Sequence, residues 1–246
     1  MPAILKCSME SLVALLLGIL ILLFLKHQRK NYVEGSIARD SLTNKNHGHG
    51  YRCFSSGLSS AEYYLANYLA QELDKRNYYI FNNIIIPSSV CGSNQIDHLV
   101  VSRYGIFVIE NKNYSGWIFA HRDHKEWTQT QRSGRKFHFP NPILQNYAQV
   151  NALKEYMPYA AKYIHGVVVF TRTCEFRTPK PENVLFDDEI VEHISSYTKE
   201  VMKPVEYFVT IGHLSHTCQT DEISFQQHKQ NISEYLETKA KKVHIS

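Results

Sequence analysis

Two acidic residues and one lysine in the middle of the sequence have the types and the spacing of a catalytic metal site. Glu110 and Lys112 are two residues apart in Gly105–Tyr114, a segment whose apolar content predicts a strand. Side chains two apart in a strand point to the same face. Asp97 precedes them in another predicted strand, Asn94–Ser102. The pattern predicts a cluster of carboxylate and ammonium groups wherever these two strands pair.

A tight hairpin between the two strands sets their register. Only two residues separate Ser102 from Gly105, and so short a link predicts antiparallel pairing of the residues that flank it. With Ser102 opposite Gly105, Asp97 falls opposite Glu110. Directly opposed Cβ atoms lie about 4.5–5.5 Å apart, so we expect the two carboxyl groups to be neighbours.

Two opposed carboxylates repel each other unless a cation lies between them. Oxygen ligands favour a hard cation such as Mg²⁺, with Mn²⁺ as an alternative. Such an ion polarises a phosphoryl oxygen and acidifies a bound water, and Lys112 would orient that water or stabilise negative charge. A surface strand in which Lys112 merely offsets Asp97 and Glu110 would show the same pattern. The three residues alone therefore leave a catalytic and a structural interpretation open.

Two elements are predicted before the hairpin. Ser59 and Glu62 have the spacing of a capping box. Apolar residues at helical intervals extend the helix to about Arg76. Tyr78–Ile86 is rich in β-formers and predicts a strand that stops before Pro87.

The segments after the hairpin predict further strands and helices. Trp127–Gln131 and Lys136–Phe139 are expected to form a second hairpin. Asn141 and Pro142 have the types of an N-cap and a first-turn residue of a helix, and His165–Phe170 is continuously apolar, like a buried strand. The order predicts an α/β fold, an α-β-β-β-α-β sandwich with a central mixed sheet. The remaining predictions are a helix from Asp188, a strand at Val205–Ile211 and a polar helix near Ser224–Lys239.

The second predicted hairpin carries both cations and aromatic residues. Arg132, Arg135 and Lys136 are candidates for contact with nucleic-acid phosphates. Trp127 and Phe137 are among the aromatic residues that either stack on bases or face the core. We favour the core for the aromatic side chains and nucleic-acid contact for at least some of the cations.

The N-terminal segment predicts a membrane anchor. Ser11–Leu25 is uncharged and mostly aliphatic, and extending it back to Met9 gives the length that spans a bilayer, about 17–25 residues. Basic residues follow the run, which places the rest of the chain in the cytoplasm. No A-x-A-like site follows, which argues against a cleaved signal peptide. We expect a single-pass anchor at 9–25, a polar linker at 26–58, a catalytic domain at 59–171 and a C-terminal extension at 172–246 packed on or beside it.

Composition limits the classes of protein and partner. The net charge is only +4, so any basic surface for nucleic acid must be local. The five cysteines are scattered and form no C-x-x-C pair, which argues against a disulfide framework and a zinc site. No organic cofactor is expected.

Several linked motifs give residues 57 to 171 a resemblance to the nuclease-related domain (NERD) family, a branch of the PD-(D/E)xK nucleases. The resemblance implies a restriction-endonuclease-like fold, preceded here by the predicted transmembrane helix. In chain order, the motifs are Gly57-x-x-x-Ala61-Glu62, Gln95-Ile96-Asp97-His98, the segment from Gly105 to Gly116 with Glu110-Asn111-Lys112, and Asn141-Pro142-x-x-Gln145.

The resemblance also implies roles for individual residues. Asp97 and Glu110 would bind the Mg²⁺ or Mn²⁺ ion, and Lys112 would be the catalytic lysine. Glu62 and Gln145 would be accessory active-site residues on the flanking helices. Glu62 can equally serve only its capping box, and Gln145 can equally be an exposed residue in the first turn of its helix. Both alternatives stay open.

Two functions from different classes follow. The first is a membrane-anchored, Mg²⁺-dependent nuclease that hydrolyses phosphodiester bonds of nucleic acid, in the first place DNA. The second is a non-catalytic, membrane-tethered module on the same fold that binds nucleic acid or protein. The intact Glu110–Lys112 motif favours the enzyme, whereas the near-neutral charge favours the module mildly.

Overall fold

A computed structural model of the protein describes residues 58–217 and 222–243. The anchor predicted at 9–25 and all but the last residue of the linker predicted at 26–58 lie outside these ranges. Across the two described ranges, no helix has both the length and the apolar character that crossing a bilayer requires. In chain order, the elements are α1 (Ser60–Glu72), β1 (Tyr78–Ser88), β2 (Gly92–Ser102), β3 (Gly105–Lys112), β4 (Gly116–Phe119), β5 (Glu126–Thr130), β6 (Lys136–Pro140), α2 (Pro142–Tyr156), a 3₁₀ helix (Pro158–Tyr163), β7 (Ile164–Phe170), β8 (Cys174–Phe176), β9 (Val184–Phe186), α3 (Ile190–Ser195), α4 (Pro204–Thr217) and α5 (Glu222–Val243).

The central sheet has five strands in the order β1-β2-β3-β7-β9. β1, β2 and β3 form an antiparallel meander. β7 lies parallel to β3 on one side and to β9 on the other. Parallel pairing of β3 with β7 requires a long crossover connection, which here contains β4, β5, β6 and α2. The sheet is therefore mixed, as predicted.

Helices pack on both faces of the central sheet. On one face, Val150 of α2 lies in a core cluster with Val108 of β3. On the other face, Leu65 of α1 lies in a cluster with Ile109 of β3. Because adjacent residues of β3 face opposite helices, the strand is buried on both sides. The α/β class predicted from the sequence is confirmed.

The second sheet is larger than the predicted hairpin. Its four strands run in the order β6-β5-β4-β8, with β4 antiparallel to β5 and parallel to β8. The sequence pattern predicts β5 and β6 but not β4, β8 or β9. Those three strands have only three or four residues, too few for alternation to show. Residues after 171 thus contribute one strand to each sheet.

The strand predicted at Val205–Ile211 is wrong, because this segment belongs to helix α4. The buried residues recur at helical spacing: Tyr207, Thr210 and Leu214 are 7%, 0% and 0% exposed. Val205, Phe208 and Val209 are more than half exposed. In the sequence, these apolar residues give the segment the continuous apolar pattern of a buried strand.

The helix predicted from Asp188 begins two residues later, at Ile190. The carboxylate of Asp188 instead pairs with Arg172, with 2.6 Å between Oδ1 and Nη2. The polar helix predicted near Ser224–Lys239 is present and longer, from Glu222 to Val243.

Candidate active site at the end of strand β3

The β2–β3 hairpin has the predicted register. The ladder begins at the pair Ser102 and Gly105 and continues without a slip along the hairpin. One step beyond its last pair, Asp97 comes beside Glu110. The backbone N–H of Asn111 donates to Oδ2 of Asp97 at 2.9 Å. This hydrogen bond ties the carboxyl group of β2 to the backbone of β3.

Glu110 is buried, and both of its carboxylate oxygens have partners. Nζ of Lys112 lies 2.5 Å from Oε1, and the side-chain amide of Gln149 donates to Oε2 at 2.5 Å. The side chains of Glu110 and Lys112 are 6% and 16% exposed, so most of the ion pair is removed from water. A buried ion pair needs additional hydrogen bonds to offset its lost hydration, and Gln149 provides one.

Burial raises the pKa of the Asp97 carboxyl well above its usual range, and the negative charge of Glu110 raises that pKa further. The hydrogen bond from Asn111 and the charge of Lys112 act in the opposite direction without cancelling the increase. The charge of Glu62 adds to the increase, which places the first turn of α1 within electrostatic range. An ionised Asp97 would therefore add an unfavourable negative charge beside Glu110, which a bound cation would offset.

Polar side chains of α2 hold this helix against the site. The amide of Gln149 donates to the carbonyl oxygen of Gln95 at 3.0 Å. Asn146 donates to the carbonyl oxygen of Val108 at 3.0 Å and to the side-chain oxygen of Gln149 at 3.2 Å. Gly166 on β7 permits this approach, because a Cβ there would lie 2.2 Å from Oδ1 of Asn146. The position of Gln149 thus depends on close packing of helix on strand.

Gln149, rather than the predicted Gln145, is the residue of α2 that contacts Glu110. Gln145 is exposed in the first turn. It lies one turn before Gln149 on the same side of the helix, so its accessory role stays a prediction. The contact of Gln149 was not predicted from the sequence, although a signal was present. Gln149 adjoins Val150 and lies four residues before Leu153, on the buried stripe, where a polar side chain needs a partner.

The capping box predicted at the start of α1 is confirmed. The N–H of Ser59 donates to Oε2 of Glu62 at 2.7 Å, and the N–H of Glu62 donates to Oγ of Ser59 at 3.3 Å. The same carboxylate acts electrostatically on Asp97. Capping and a place at the edge of the site are therefore compatible, and the accessory catalytic role of Glu62 stays a prediction.

Asp97 and Glu110 suit a hard divalent cation. Two carboxyl groups that meet across a ladder, one with a raised pKa, are donors that such a cation would stabilise. In residues 58–217 and 222–243 no cluster of three or more His, Cys, Asp or Glu side chains could hold a metal ion. With Asp97 and Glu110 as its protein ligands, such an ion would complete its coordination with water. Mg²⁺ fits because it keeps several waters and binds through one or two carboxylates.

The three predicted nucleic-acid contacts belong to the second sheet rather than to this cluster. Arg132 and Arg135 lie between β5 and β6, and Lys136 is the first residue of β6. All three are exposed. Trp127 faces the core as predicted, with 1% exposure, but Phe137 is 39% exposed, with the Arg135 guanidinium 5.9 Å from its ring centroid. Their contact with nucleic acid stays a prediction.

A mixed sheet between helices fits a nuclease-like domain, and Asp97 of β2 lies beside Glu110 and Lys112 at the end of β3. The model of the nuclease-related domain family matches residues 58–171. This match confirms the resemblance found in the sequence.

A protein of Bacillus anthracis described as uncharacterized is similar to this chain. The two are 28% identical over 179 residues, which cover 71% of this chain and 82% of that protein. The aligned length exceeds that of the segment matched by the family model, so the similarity extends beyond the nuclease-related domain.

Proposed function

We propose that the protein is a metal-dependent nuclease that hydrolyses phosphodiester bonds of nucleic acid, with DNA as the expected main substrate. The observation that supports this function is the meeting of Asp97, Glu110 and Lys112 at the end of the β2–β3 hairpin. The nuclease-related domain contains all three residues. A strongly perturbed acid beside a second acid and a lysine is also typical of catalytic sites.

The residues of the chain would bind, orient and neutralise charge. A Mg²⁺ ion held by Asp97 and Glu110 would polarise the scissile phosphate and acidify a water. Lys112 places its ammonium group beside Glu110, where it can donate to the attacking water or to a phosphate oxygen. Gln149 fixes the carboxylate of Glu110, and the N–H of Asn111 fixes that of Asp97. Strands and a helix therefore position the site.

A cleavage assay on the full-length chain tests this function. We expect single- or double-stranded DNA to be cut with Mg²⁺ or Mn²⁺ and to remain intact with EDTA. Asp97→Ala and Lys112→Ala should each lower the rate by at least about a hundredfold, because each removes a group that acts on the reacting phosphate. Asp123→Ala and Lys203→Ala change the same residue types at exposed positions and should cut normally.

The same assay separates the enzyme from a non-catalytic interaction module. A module would bind nucleic acid or protein equally well in the wild type, Asp97→Ala and Lys112→Ala, and would cut in none of them. Cutting that persists in both variants would place the catalytic groups elsewhere.

We also propose that residues 9–25 anchor the protein in a membrane, with the nuclease-related domain in the cytoplasm. The supporting observation is the uncharged, aliphatic run Ser11–Leu25 followed by Lys26, Arg29 and Lys30. The full-length protein should resist alkaline extraction from membranes, and its domain should be digested by protease only after the cytoplasmic side is opened. Release of the protein by alkali would refute the anchor.

A further inference from the structure

The second sheet has one face against the core and one face open to solvent. Along β4, Ile118 is fully buried, whereas Trp117 and Phe119 on either side of it are 44% and 36% exposed. Side chains alternate between the two faces of a strand, so both aromatic rings lie on the open face. The ladders extend this face across the sheet. Its residues include Trp117, Phe119, Glu126, Thr128, Thr130, Lys136, His138, Glu175 and Arg177.

Cations accompany the two exposed aromatic residues. The guanidinium of Arg177 lies 4.4 Å from the ring centroid of Trp117 and also pairs with Glu175, at 2.9 Å. Lys136 is exposed on the same face, in the cross-strand row of Trp117. Arg132 adds a positive charge at the adjoining turn. The face therefore combines flat apolar rings with cations that attract phosphates, beside the two acids Glu126 and Glu175.

We propose that this open face binds single-stranded DNA by stacking bases on Trp117 and Phe119, and that it guides the strand toward Asp97, Glu110 and Lys112. A four-stranded sheet with aromatic residues on its open face can stack two or three bases, and stacking accepts any base sequence. Duplex bases already stack on each other, so they cannot use such rings. The guiding role rests on the proposed nuclease function, whereas the binding itself does not.

The connection between the two sheets makes the guiding role geometrically reasonable. β4 begins at Gly116, four residues after the end of β3 at Lys112. Trp117 therefore lies within about 17 Å of Lys112 along the chain, the reach of five extended residues. A single strand of a few nucleotides is long enough to span that distance.

The two tryptophans provide a direct assay for the open face. The sequence contains only Trp117 and Trp127, and Trp127 is 1% exposed and stacks on Phe170 with 6.0 Å between ring centroids. Oligothymidylate added to the full-length chain in EDTA should quench tryptophan emission saturably. The quenching should disappear in Trp117→Leu, because the remaining tryptophan is shielded.

Affinities for a labelled oligothymidylate, measured by anisotropy in EDTA, complete the test. Phe119→Ala and Trp117→Leu should each weaken binding about tenfold, in the range expected for the loss of one stacked base. Phe208→Ala is the matched control, because Phe208 is also an exposed phenylalanine, with 56% exposure, but lies on α4 rather than on the open face. It should bind as the wild type does.

Several outcomes would overturn the proposal. They are an absence of saturable quenching, unchanged affinity in both aromatic variants, an equal loss in Phe208→Ala, tighter binding of a duplex of the same length, and tighter binding of oligouridylate. Because EDTA blocks any metal-dependent cutting, these results do not depend on catalysis. A protein that binds single strands in this way but never cuts them would refute the nuclease function and leave the open face as a binding surface.

Discussion

The two acids of the candidate site differ in how they are held. Glu110 has a lysine on one oxygen and a glutamine amide on the other. Asp97 accepts a backbone hydrogen bond, and its pKa is raised by burial and by the charge of Glu110. A charge in such a place destabilises the folded protein unless a cation is bound. Asp97 is therefore the residue at which metal binding and stability should be coupled most directly.

Replacement of Asp97 by asparagine should make the metal-free protein more stable at neutral pH. The amide can accept the hydrogen bond from Asn111 but carries no charge to repel Glu110. We expect the melting temperature to rise by about 2–4 °C, the shift that about 1 kcal/mol gives in a protein of this size. Mg²⁺ should stabilise the wild type by mass action and have no effect on Asp97→Asn. Thermal melts with EDTA and with Mg²⁺ measure both effects.

Asp123→Asn is the matched control for this experiment, since Asp123 is exposed. Its melting temperature should stay within about 1 °C of the wild type, as for most surface substitutions. Its response to Mg²⁺ should also match the wild type. A lower melting temperature for metal-free Asp97→Asn would show that the Asp97 charge is stabilised rather than repelled in the fold.

At the scale of elements, the contact between α2 and β7 controls the geometry of the site. Gly166 faces Asn146 and Val150 of α2. A Cβ on Gly166 would lie 2.2 Å from Oδ1 of Asn146 and 3.0 Å from Cγ2 of Val150. To admit one, either the helix would have to move or the Asn146 side chain would have to leave its hydrogen bond to Val108. Because Gln149 lies on the same helix and holds Glu110, a displaced helix would also disturb the carboxylate.

Gly166→Ala should therefore destabilise the protein by about 1–3 kcal/mol, the usual cost of overpacking. It should also reduce cleavage by the folded fraction, since Gln149 moves with the helix. Gly212→Ala is the control, because Gly212 lies in α4 and a Cβ on it would meet no neighbouring atom within 4 Å. Alanine there should stabilise the helix by up to about 1 kcal/mol. Urea unfolding measures both variants, and equal effects would refute the close contact.

The elements also show why some of the structure was predictable. The β2–β3 hairpin is a local feature, so two short-range facts, the link length and the alternation, predict its register and the meeting of Asp97 with Glu110. β8 and β9 are defined by distant partners, β4 and β7, and their three residues carry too little pattern. Predicting the contact of Gln149 with Glu110 requires knowing which side of α2 faces β3. Local pairing was predictable, and contacts between distant segments were not.

At the scale of the whole molecule, buried histidines lie in several layers of the fold. His98 is fully buried on β2, with Nδ1 2.8 Å from Oδ1 of Asn82. His228 on α5 contacts Ser93 of β2, with 2.8 Å between Nδ1 and Oγ. Burial lowers the pKa of His98 to about 3, and it also lowers the pKa of His165, His193 and His228. The neighbouring positive charges of His193 and Lys154 contribute at His165.

These lowered pKa values predict that the buried histidines reduce the stability of the fold in mild acid. The unfolded chain protonates its histidines near pH 6.5, whereas the folded chain keeps His98 neutral down to about pH 3. The unfolded state therefore binds more protons in this window, and the free energy of unfolding falls as the pH falls. The raised pKa of Asp97 acts in the opposite direction, because protonation of that acid favours the fold. The net change in stability therefore depends on both contributions, which substitutions of single residues separate.

His98→Asn isolates the contribution of one histidine, since the asparagine amide can still donate to Asn82 but cannot be protonated. The wild type should lose about 2 kcal/mol more than this variant between pH 7 and pH 5, the difference expected for a group with an unfolded pKa of about 6.5 that stays neutral when folded. Urea unfolding at the two pH values gives the change within each protein, so any lower stability of the variant at pH 7 cancels. An equal loss in both proteins would mean that the imidazole of His98 takes up its proton inside the fold. Nε2 of His98, which has no hydrogen-bond partner among the described residues, would then need an acceptor in the acid form.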